Sequence, residues 1–337
     1  AYTYKMFLDL SYGLLKDSGR MGIIVPSGVY TDHGTRDLRE LFVEKSQWEW
    51  LFGFENRRKI FDIDERFKFC PIIIRKAGQT DAIKTAFMRH ELKDWEENAD
   101  ALSTPYDKSR ITIFSPKSKA LLELRSKRDI EIVEKMYANS VLLGDQSEDG
   151  WKIKYQQGDF NMTSDSKLFK PRPWWEERGY KPDAYGRWLG PDGDVALPLY
   201  EGRMIGQFDF SEKGWVSGKG RSAKWRDIDW AQKTIEPQYL MSADHCEVTD
   251  EEIEEGKLPI YGYKVPLMNI SSATNARTAI CAFAKDWPCN HSLNPIRAGG
   301  LNASLALTAI LNSFAYDFLV RVRLGGLNLS FFVLDET

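Results

Sequence analysis

A chain of 337 residues is long enough for two domains, each with its own hydrophobic core. Its formal net charge of −3 excludes an overall basic surface, so any contact with nucleic acid must come from a local patch. The sequence has no apolar run long enough to span a bilayer and no secretory signal, so we expect a cytoplasmic protein without membrane contact. The four cysteines match no common zinc spacing, and we predict free thiols and no metal site.

Residues 1–114 predict part of an α/β domain. An apolar stripe at helical spacing begins at Tyr4, and the unbroken apolar run Met21–Pro26 predicts a central strand covered on both faces. The elements predicted next are a helix over Asp32–Glu44 and strands over Trp48–Phe54, Phe67–Arg75 and Ile83–Met88, the last an outer strand. Two helices cannot cover these strands on both faces, so we expect the missing neighbours upstream of Ala1. The stretch is interpreted as the C-terminal half of a doubly wound, Rossmann-like sheet.

Composition changes twice after this half-sheet. Residues 115–149 are polar and predict a helical spacer. Residues 150–337 are rich in Trp, Tyr, Gly and Pro with short alternating runs, which predicts a separate mixed α+β domain. Within it, Leu199–Ile205 is predicted as a strand and Glu251–Glu255 as a short helical turn.

One long helix is predicted near the end of the chain, from Leu305 to Gly325. Its apolar residues recur at helical spacing through Phe314 and Phe318, and Asp317 precedes Arg321 by four positions, the favourable order for an ion pair. A strand is predicted over residues 327–333. The helix would then present Arg321, Arg323 and Asn328 at one rim, where such side chains can read base edges. A capped core helix without a binding role is the alternative.

Three further places carry candidate DNA contacts. The stretch Lys213–Arg226 contains five cations, two tryptophans and no acid, and a solvated loop is the alternative interpretation. Another is Arg277 with Thr278 in a polar stretch, where a capped turn is the alternative, and the third is Arg203, for which the alternative is a surface salt bridge. The residues from these three places that we select are Arg203, Lys219, Arg221, Lys224, Arg226, Arg277 and Thr278.

Several segments resemble the amino (adenine-N6) DNA methyltransferases of restriction–modification systems, in the fused, type IIG-like or phage-exclusion branch. The segments that carry the resemblance, in order, are Tyr4-x-x-Phe7, Gly19–Ser27, Lys59-Ile60-Phe61, Leu199–Ile205, Thr274-Asn275-x-Arg277-Thr278 and Leu311–Asn328. The resemblance implies that residues 1–114 end a catalytic domain and that 150–337 form a target recognition domain. It also implies that Phe61 stacks on a flipped adenine and that Pro26 and Ser27 lie at the substrate pocket. A core Phe and a plain strand exit are the alternatives.

Two motifs of that family are absent. No Asn-Pro-Pro-Tyr tetrapeptide occurs, since Asn294-Pro295 is followed by Ile296, and no glycine-rich strand-to-helix turn is present for S-adenosylmethionine. We therefore expect a fragment that is inactive alone, binds no cofactor tightly, and partners with double-stranded DNA and with an upstream methyltransferase half that holds S-adenosylmethionine. Two alternatives remain: a non-catalytic protein-binding specificity module, and a fragment of an RNA or small-molecule methyltransferase.

Overall fold

The computed structural model describes residues 2–337 and divides them into two compact units. Unit 1 comprises residues 2–142 with two later stretches, Val322–Gly326 and Phe331–Thr337. Unit 2 comprises Leu143–Arg321 and Leu327–Ser330. The chain therefore contributes its last residues to both units, which the sequence did not indicate.

Unit 1 contains a five-stranded sheet with helices. In chain order its elements are α1 Thr3–Leu14, β1 Arg20–Pro26, α2 Gly28–Thr31, α3 Arg36–Glu44, β2 Ser46–Glu55, β3 Lys68–Lys76, β4 Ala82–Arg89, α4 Leu92–Glu96, α5 Ala99–Leu102, β5 Thr104–Asp107, α6 Lys108–Phe114 and α7 Lys127–Ala138. The strand order is β1-β3-β2-β4-β5. Strand β3 is antiparallel to both β1 and β2, β2 and β4 are parallel, and β5 is antiparallel to β4. The prediction of an α/β domain is confirmed, and its sheet is mixed. The prediction that the strand over Ile83–Met88 is an outer strand is wrong, because β4 lies between β2 and β5.

The core of unit 1 follows from the apolar runs of the central strands. Trp48, Leu51, Ile72 and Ile74 are fully buried, and they lie on β2 and β3, which are inner strands of the sheet. Strand β1 differs from its prediction: among residues 2–337 it pairs on one side only, and Ile24 is 57% exposed. The prediction that β1 is covered on both faces is therefore wrong for the described residues.

Helix α1 also buries less than its apolar stripe predicts. Leu8 is its one buried residue. The exposed apolar side chains on α1 are Met6, Phe7, Leu10 and Leu14. Helix α1 and strand β1 together therefore leave apolar surface uncovered in unit 1.

The stretch predicted as a spacer packs largely into unit 1. Helix α7 is its one helix, and the Ser126 side chain caps it by accepting from the Asp129 amide. Before α7, residues 120–124 are buried, and the Leu121 amide donates to the Tyr30 carbonyl at 2.9 Å. The structure has no helix over residues 120–124, and the Glu123 amide likewise donates to a distant carbonyl, that of Val322, so a continuous spacer helix does not form.

Unit 2 consists of short strands in three sheets. Its elements are β6 Lys154–Tyr155, β7 Phe169–Pro171, α8 Arg172–Glu176, β8 Lys181–Pro182, β9 Trp188–Leu189, β10 Val195–Pro198, β11 Lys213–Ser217, β12 Lys224–Asp227, β13 Tyr239–Ser242, α9 Asp250–Glu254, β14 Tyr263–Met268, β15 Ala284–Lys285, β16 Leu293–Arg297, α10 Leu301–Leu311 and α11 Phe314–Arg323. The sheet orders are β7-β13-β10-β9-β8, β11-β12 and β15-β14-β16-β6. The helical turn predicted near residue 251 is confirmed as α9. The strand predicted over Leu199–Ile205 is wrong, because β10 ends at Pro198 and residues 202–204 form a 3₁₀ turn.

The long C-terminal helix is two helices, α10 and α11, which meet at 66°. The break lies at Asn312, whose side chain bonds the backbone of Cys281 in both directions, at 2.9 and 3.2 Å. Because of the bend, Phe314 is 86% exposed and does not join an apolar face as predicted. The strand predicted after the helix is also wrong: residues 327–330 form one isolated bridge, and α12 follows at Phe331–Asp335, in unit 1.

Among residues 2–337 no single helix is long and apolar enough to cross a membrane; α10 and α11 pass the same test only as a bent pair.

Candidate nucleic-acid interface

The basic stretch of the sequence forms a β-hairpin in unit 2. Strands β11 and β12 pair with Trp215 opposite Trp225, and residues 218–223 form the turn. Lys219, Arg221 and Lys224 are exposed, and within the described part of the chain none of them forms an ion pair. The hairpin therefore presents three uncompensated cations from one short ribbon.

Contacts at its base hold this hairpin in place. The Trp215 indole is 7% exposed and donates to the Gly218 carbonyl at 3.0 Å, while the guanidinium of Arg172 lies 4.8 Å from its ring centre. Arg226 forms an ion pair with Glu236, so this predicted DNA contact already has a partner. The structure thus separates Arg226 at the base from the three free cations.

Asp317 of α11 organises the polar stretch that contains Arg277 and Thr278. Its carboxylate accepts the Thr278 amide at 2.6 Å and the Ala279 amide at 2.8 Å, and it pairs with Arg321 at 2.9 Å. The Asp317–Arg321 ion pair predicted from the sequence is confirmed. The structure brings Arg277, Thr278 and Arg321 together, but around a carboxylate rather than toward an open surface.

The two arginines of this cluster act as scaffold. Arg321 donates to the carbonyls of Ala273 at 2.6 Å and Asn275 at 2.8 Å. Arg277 donates to the Asn312 carbonyl at 2.5 Å and lies over the Phe314 ring. These bonds fix both guanidinium groups to the backbone of unit 2.

Two predicted contacts are contradicted by burial. Thr278 is fully buried, and its hydroxyl donates to the Ser272 carbonyl. Arg323 is 2% exposed and belongs to unit 1, where it pairs with buried Glu336 at 3.2 Å. The chain passes from unit 2 to unit 1 between Arg321 and Arg323.

Arg203 and Asn328 of unit 2 remain exposed. Arg203 lies in the 3₁₀ turn that follows Glu201, and Asn328 forms the isolated bridge with Ile270. Burial raises the pKa of Glu201 to about 7, because one of its oxygens is buried without a hydrogen-bond partner. The positive charge of Arg203 lowers the same pKa, but this effect is smaller than that of burial.

Phe61 lies on a loop in unit 1 that the Asn56 side chain holds closed. The Asn56 amide donates to the carbonyls of Phe61 at 2.9 Å and Ile63 at 3.2 Å, and its oxygen accepts the Phe61 amide at 3.0 Å. The Phe61 ring is 39% exposed and meets Phe69 edge-on at 4.9 Å. Exposed Arg57 lies on the same loop. A held, partly exposed ring has the features of a base-stacking residue, and also those of a loop anchor.

The predicted substrate-pocket residues Pro26 and Ser27 lie at the end of β1. Ser27 is 8% exposed, and its amide donates to the Lys68 carbonyl. A methyl group on neighbouring Gly28 would come within 2.5 Å of Asp32 and 2.7 Å of the Tyr4 hydroxyl. The side chains of Asp32 and Tyr4 therefore pack closely against the backbone of this strand-to-helix turn.

Sequence reasoning missed two features. Asp317 was recognised as an ion-pair partner but not as the acceptor of two backbone amides, which depends on residues 38 and 39 positions away. A cavity lined by aromatic side chains of unit 2 was also missed, although the enrichment in Trp and Tyr after residue 150 was the signal. All four cysteines are buried as free thiols, and residues 2–337 contain no cluster of three or more potential metal ligands.

No protein-family model and no curated protein sequence matches the chain. Three solved structures similar to parts of it come from restriction–modification systems. One is from a study of assembly and conformational transition in the type I system and is 15% identical to this chain. The match covers 40% of this chain and 37% of that chain, with a TM-score of 0.31. Another is the type IIG restriction endonuclease BpuSI, which is 12% identical to this chain. The match covers 97% of this chain and 40% of that chain, with a TM-score of 0.34.

The third is described as a modification subunit of a type I restriction enzyme from Vibrio vulnificus YJ016 and is 17% identical to this chain. The match covers 44% of this chain and 30% of that chain, with a TM-score of 0.24. The chain thus matches between 30% and 40% of the length of these structures.

Proposed function

We propose that this chain is the DNA-docking and sequence-recognising portion of a DNA adenine-N6 methyltransferase from a restriction–modification system. The observation that carries the proposal is the β11–β12 hairpin with its three exposed, unpaired cations. A two-stranded ribbon fits the major groove of B-DNA, and lysine and arginine on it neutralise phosphates. The net charge of −3 makes this concentration of free positive charge a local feature of unit 2.

Sequence choice, in this proposal, belongs to Arg203 and Asn328. Both are exposed in unit 2, and both side-chain types form bidentate contacts with base edges. Arg277 and Arg321 would act indirectly by fixing the backbone of residues 273–279. Phosphate contacts by the hairpin would position the domain, and base contacts would specify the site.

The methyl-transfer step is assigned to an upstream half of the same polypeptide. Support comes from β1, which pairs on one side only and exposes Ile24, beside the exposed apolar residues of α1. Further strands would complete the sheet at this edge and cover that surface. S-adenosylmethionine supplies the methyl group in such an enzyme, and the upstream half would hold it. This chain contributes DNA docking and, through Phe61, an aromatic face for the flipped base.

The apolar surface of α1 and β1 also supports the second candidate function, a non-catalytic module that binds a partner protein. The two candidates differ in the role of the hairpin. A protein-binding module has no need of unpaired cations on a ribbon, and its binding would not show the salt dependence of phosphate contacts.

The test uses fluorescence anisotropy with labelled duplex DNA and a triple variant, Lys219→Ala/Arg221→Ala/Lys224→Ala. A matched control, Lys154→Ala/Lys167→Ala/Lys181→Ala, removes the same charge from exposed positions elsewhere in unit 2. We expect the hairpin variant to lose at least tenfold in affinity on all duplex sequences and the control to lose little. Equal effects of the two variants, or no duplex binding by the wild-type chain, would refute the proposal.

A further inference from the structure

Unit 2 contains a cavity of about 940 Å³, which is not one of the surfaces considered above. Six of its eighteen lining residues are aromatic and six are charged. The aromatic lining residues are Tyr185, Trp188, Tyr200, Phe210, Phe283 and Trp287. The rings of Tyr200 and Trp287 are nearly parallel, at an interplanar angle of 11° and a centroid distance of 6.2 Å. Cavities of this size can enclose a ligand as large as a nucleotide.

Two buried polar atoms of this lining have no partner within residues 2–337. They are the indole N–H of Trp188 and the hydroxyl of Tyr200. Trp188 is 5% exposed and Tyr200 is fully buried, so bulk solvent does not reach either side chain freely. A buried donor without an acceptor is destabilising, and native proteins keep one where a ligand supplies the missing partner. Trp188 and Tyr200 are both lining residues of the cavity, so a ligand there is the available source of the missing partners.

The charged residues of the lining restrict the ligand further. Lys233 is used internally, since it pairs with Asp209 at 2.6 Å and donates to the Ser211 carbonyl at 2.8 Å. Arg172 lies over the Trp215 ring, and Glu236 pairs with Arg226. Lys285 is 56% exposed and pairs with Asp286 at 3.5 Å. The lining also contains Glu176 and Asp183, so it offers aromatic faces but no unpaired cation that would favour an anionic group.

We propose that this cavity binds a nucleobase, with its ring against the aromatic lining residues and its edge hydrogen-bonded to Trp188 and Tyr200. Aromatic side chains stack on every base, and each base edge carries both donors and acceptors that match an indole N–H and a phenol. An aliphatic ligand would leave both polar atoms unpaired. The base can come from a free nucleotide or from a nucleotide extruded from DNA, and the chemistry is the same.

This site goes beyond duplex docking by the hairpin and is tested separately from it. Binding of a mononucleotide needs neither the three hairpin cations nor a target sequence. A chain that fails to bind duplex DNA can still bind nucleotides in this cavity. A chain that binds duplex DNA but no nucleotide would refute the cavity proposal alone.

The experiment titrates the chain of residues 1–337 with dAMP, dGMP, dCMP and TMP, and with deoxyribose 5-phosphate, which lacks a base. Binding is followed by calorimetry and by tryptophan fluorescence, since Trp188 and Trp287 line the cavity. We expect binding of at least one mononucleotide and none of the sugar phosphate. A duplex with a single unpaired base, compared with the fully paired duplex, distinguishes an extruded base from a free nucleotide.

Tyr200→Phe removes the unpaired hydroxyl and keeps the ring. We expect it to weaken nucleotide binding roughly two- to tenfold, the range for one hydrogen bond, without lowering the melting temperature. Tyr239→Phe is the matched control, because Tyr239 does not line the cavity. Trp188→Phe tests the second donor in the same way, with the same expected loss.

If no mononucleotide and no unpaired-base duplex binds, the proposal is refuted. It is refuted equally if deoxyribose 5-phosphate binds as well as the nucleotides do. Binding that Tyr200→Phe and Trp188→Phe both leave unchanged would place the nucleotide elsewhere on the chain and also overturn the assignment.

Discussion

Arg323→Ala should destabilise unit 1 by about 3 kcal/mol and leave DNA affinity unchanged. The guanidinium donates to the Ser115 hydroxyl at 2.9 Å and pairs with Glu336 at 3.2 Å, and both Arg323 and Glu336 are buried. Removing one partner of a buried ion pair costs about 3–5 kcal/mol. Glu336 keeps three other donors, the Lys117 amide, the Ser118 amide and the Ser118 hydroxyl, which favours the lower end of that range.

Urea unfolding followed by circular dichroism measures the effect on stability, with m-values to check that the cooperative unit is unchanged. Arg128→Ala is the control, since the Arg128 side chain is 78% exposed and pairs with Glu131 on the same helix surface, an interaction worth less than about 0.5 kcal/mol. Duplex affinity is measured below the unfolding transition. A change of less than about 0.5 kcal/mol in stability, together with weaker duplex binding, would show that Arg323 contacts DNA and that its buried position is wrong.

Three further predictions concern pH, packing and base stacking. Burial raises the pKa of Glu201 to about 7 from an ordinary 4.5, so the stabilising contribution of the protonated carboxyl is full below pH 4.5 and is lost as the pH rises through 7. In urea unfolding, the free energy of unfolding of Glu201→Gln should match that of the wild type near pH 4 and exceed it by about 3 kcal/mol near pH 8. Equal unfolding curves for the two proteins at both pH values would contradict this. A methyl group on Gly325 would overlap the Thr31 side chain, whereas nothing lies within 4 Å of the same position on Gly326. Thermal unfolding should therefore show Gly325→Ala destabilised by about 1–3 kcal/mol and Gly326→Ala nearly unchanged. The reverse order of stability for the two variants would refute this packing. In the intact parent enzyme, Phe61→Ala should slow methylation by the loss of about 1–3 kcal/mol of stacking while duplex binding is kept, and an equal loss of both would mark Phe61 as structural.

The strands of unit 1 could be predicted from the sequence because their signal is local. The apolar runs of β1, β2 and β3 mark strands whatever lies around them, and the observed bounds differ from the predicted ones by a few residues. The sequence could not show that Ile24 faces outward, since burial depends on which elements pack against that face of the sheet. Local pattern determines the element, and packing by other elements determines which of its faces is covered.

The candidate site was harder to predict because its arginines depend on distant partners. An exposed arginine and a buried one have the same sequence signature when their carboxylates lie elsewhere in the chain. The bend at Asn312 depends on hydrogen bonds to Cys281, 31 residues away, and no helical pattern shows it. The hairpin cations were identified because their property, absence of nearby acids, is visible within 14 consecutive residues, Lys213 to Arg226.

The central claim, that this chain docks on duplex DNA through the β11–β12 hairpin, is tested most directly by the salt dependence of duplex affinity. The logarithm of the association constant is plotted against the logarithm of the salt concentration for the wild-type chain and for Lys219→Ala/Arg221→Ala/Lys224→Ala. If the three cations contact phosphates, the slope should fall in magnitude by about 2.7, which is roughly 0.9 for each contact. Identical slopes for the two proteins would show that the hairpin does not contact the DNA backbone, and the claim would be wrong.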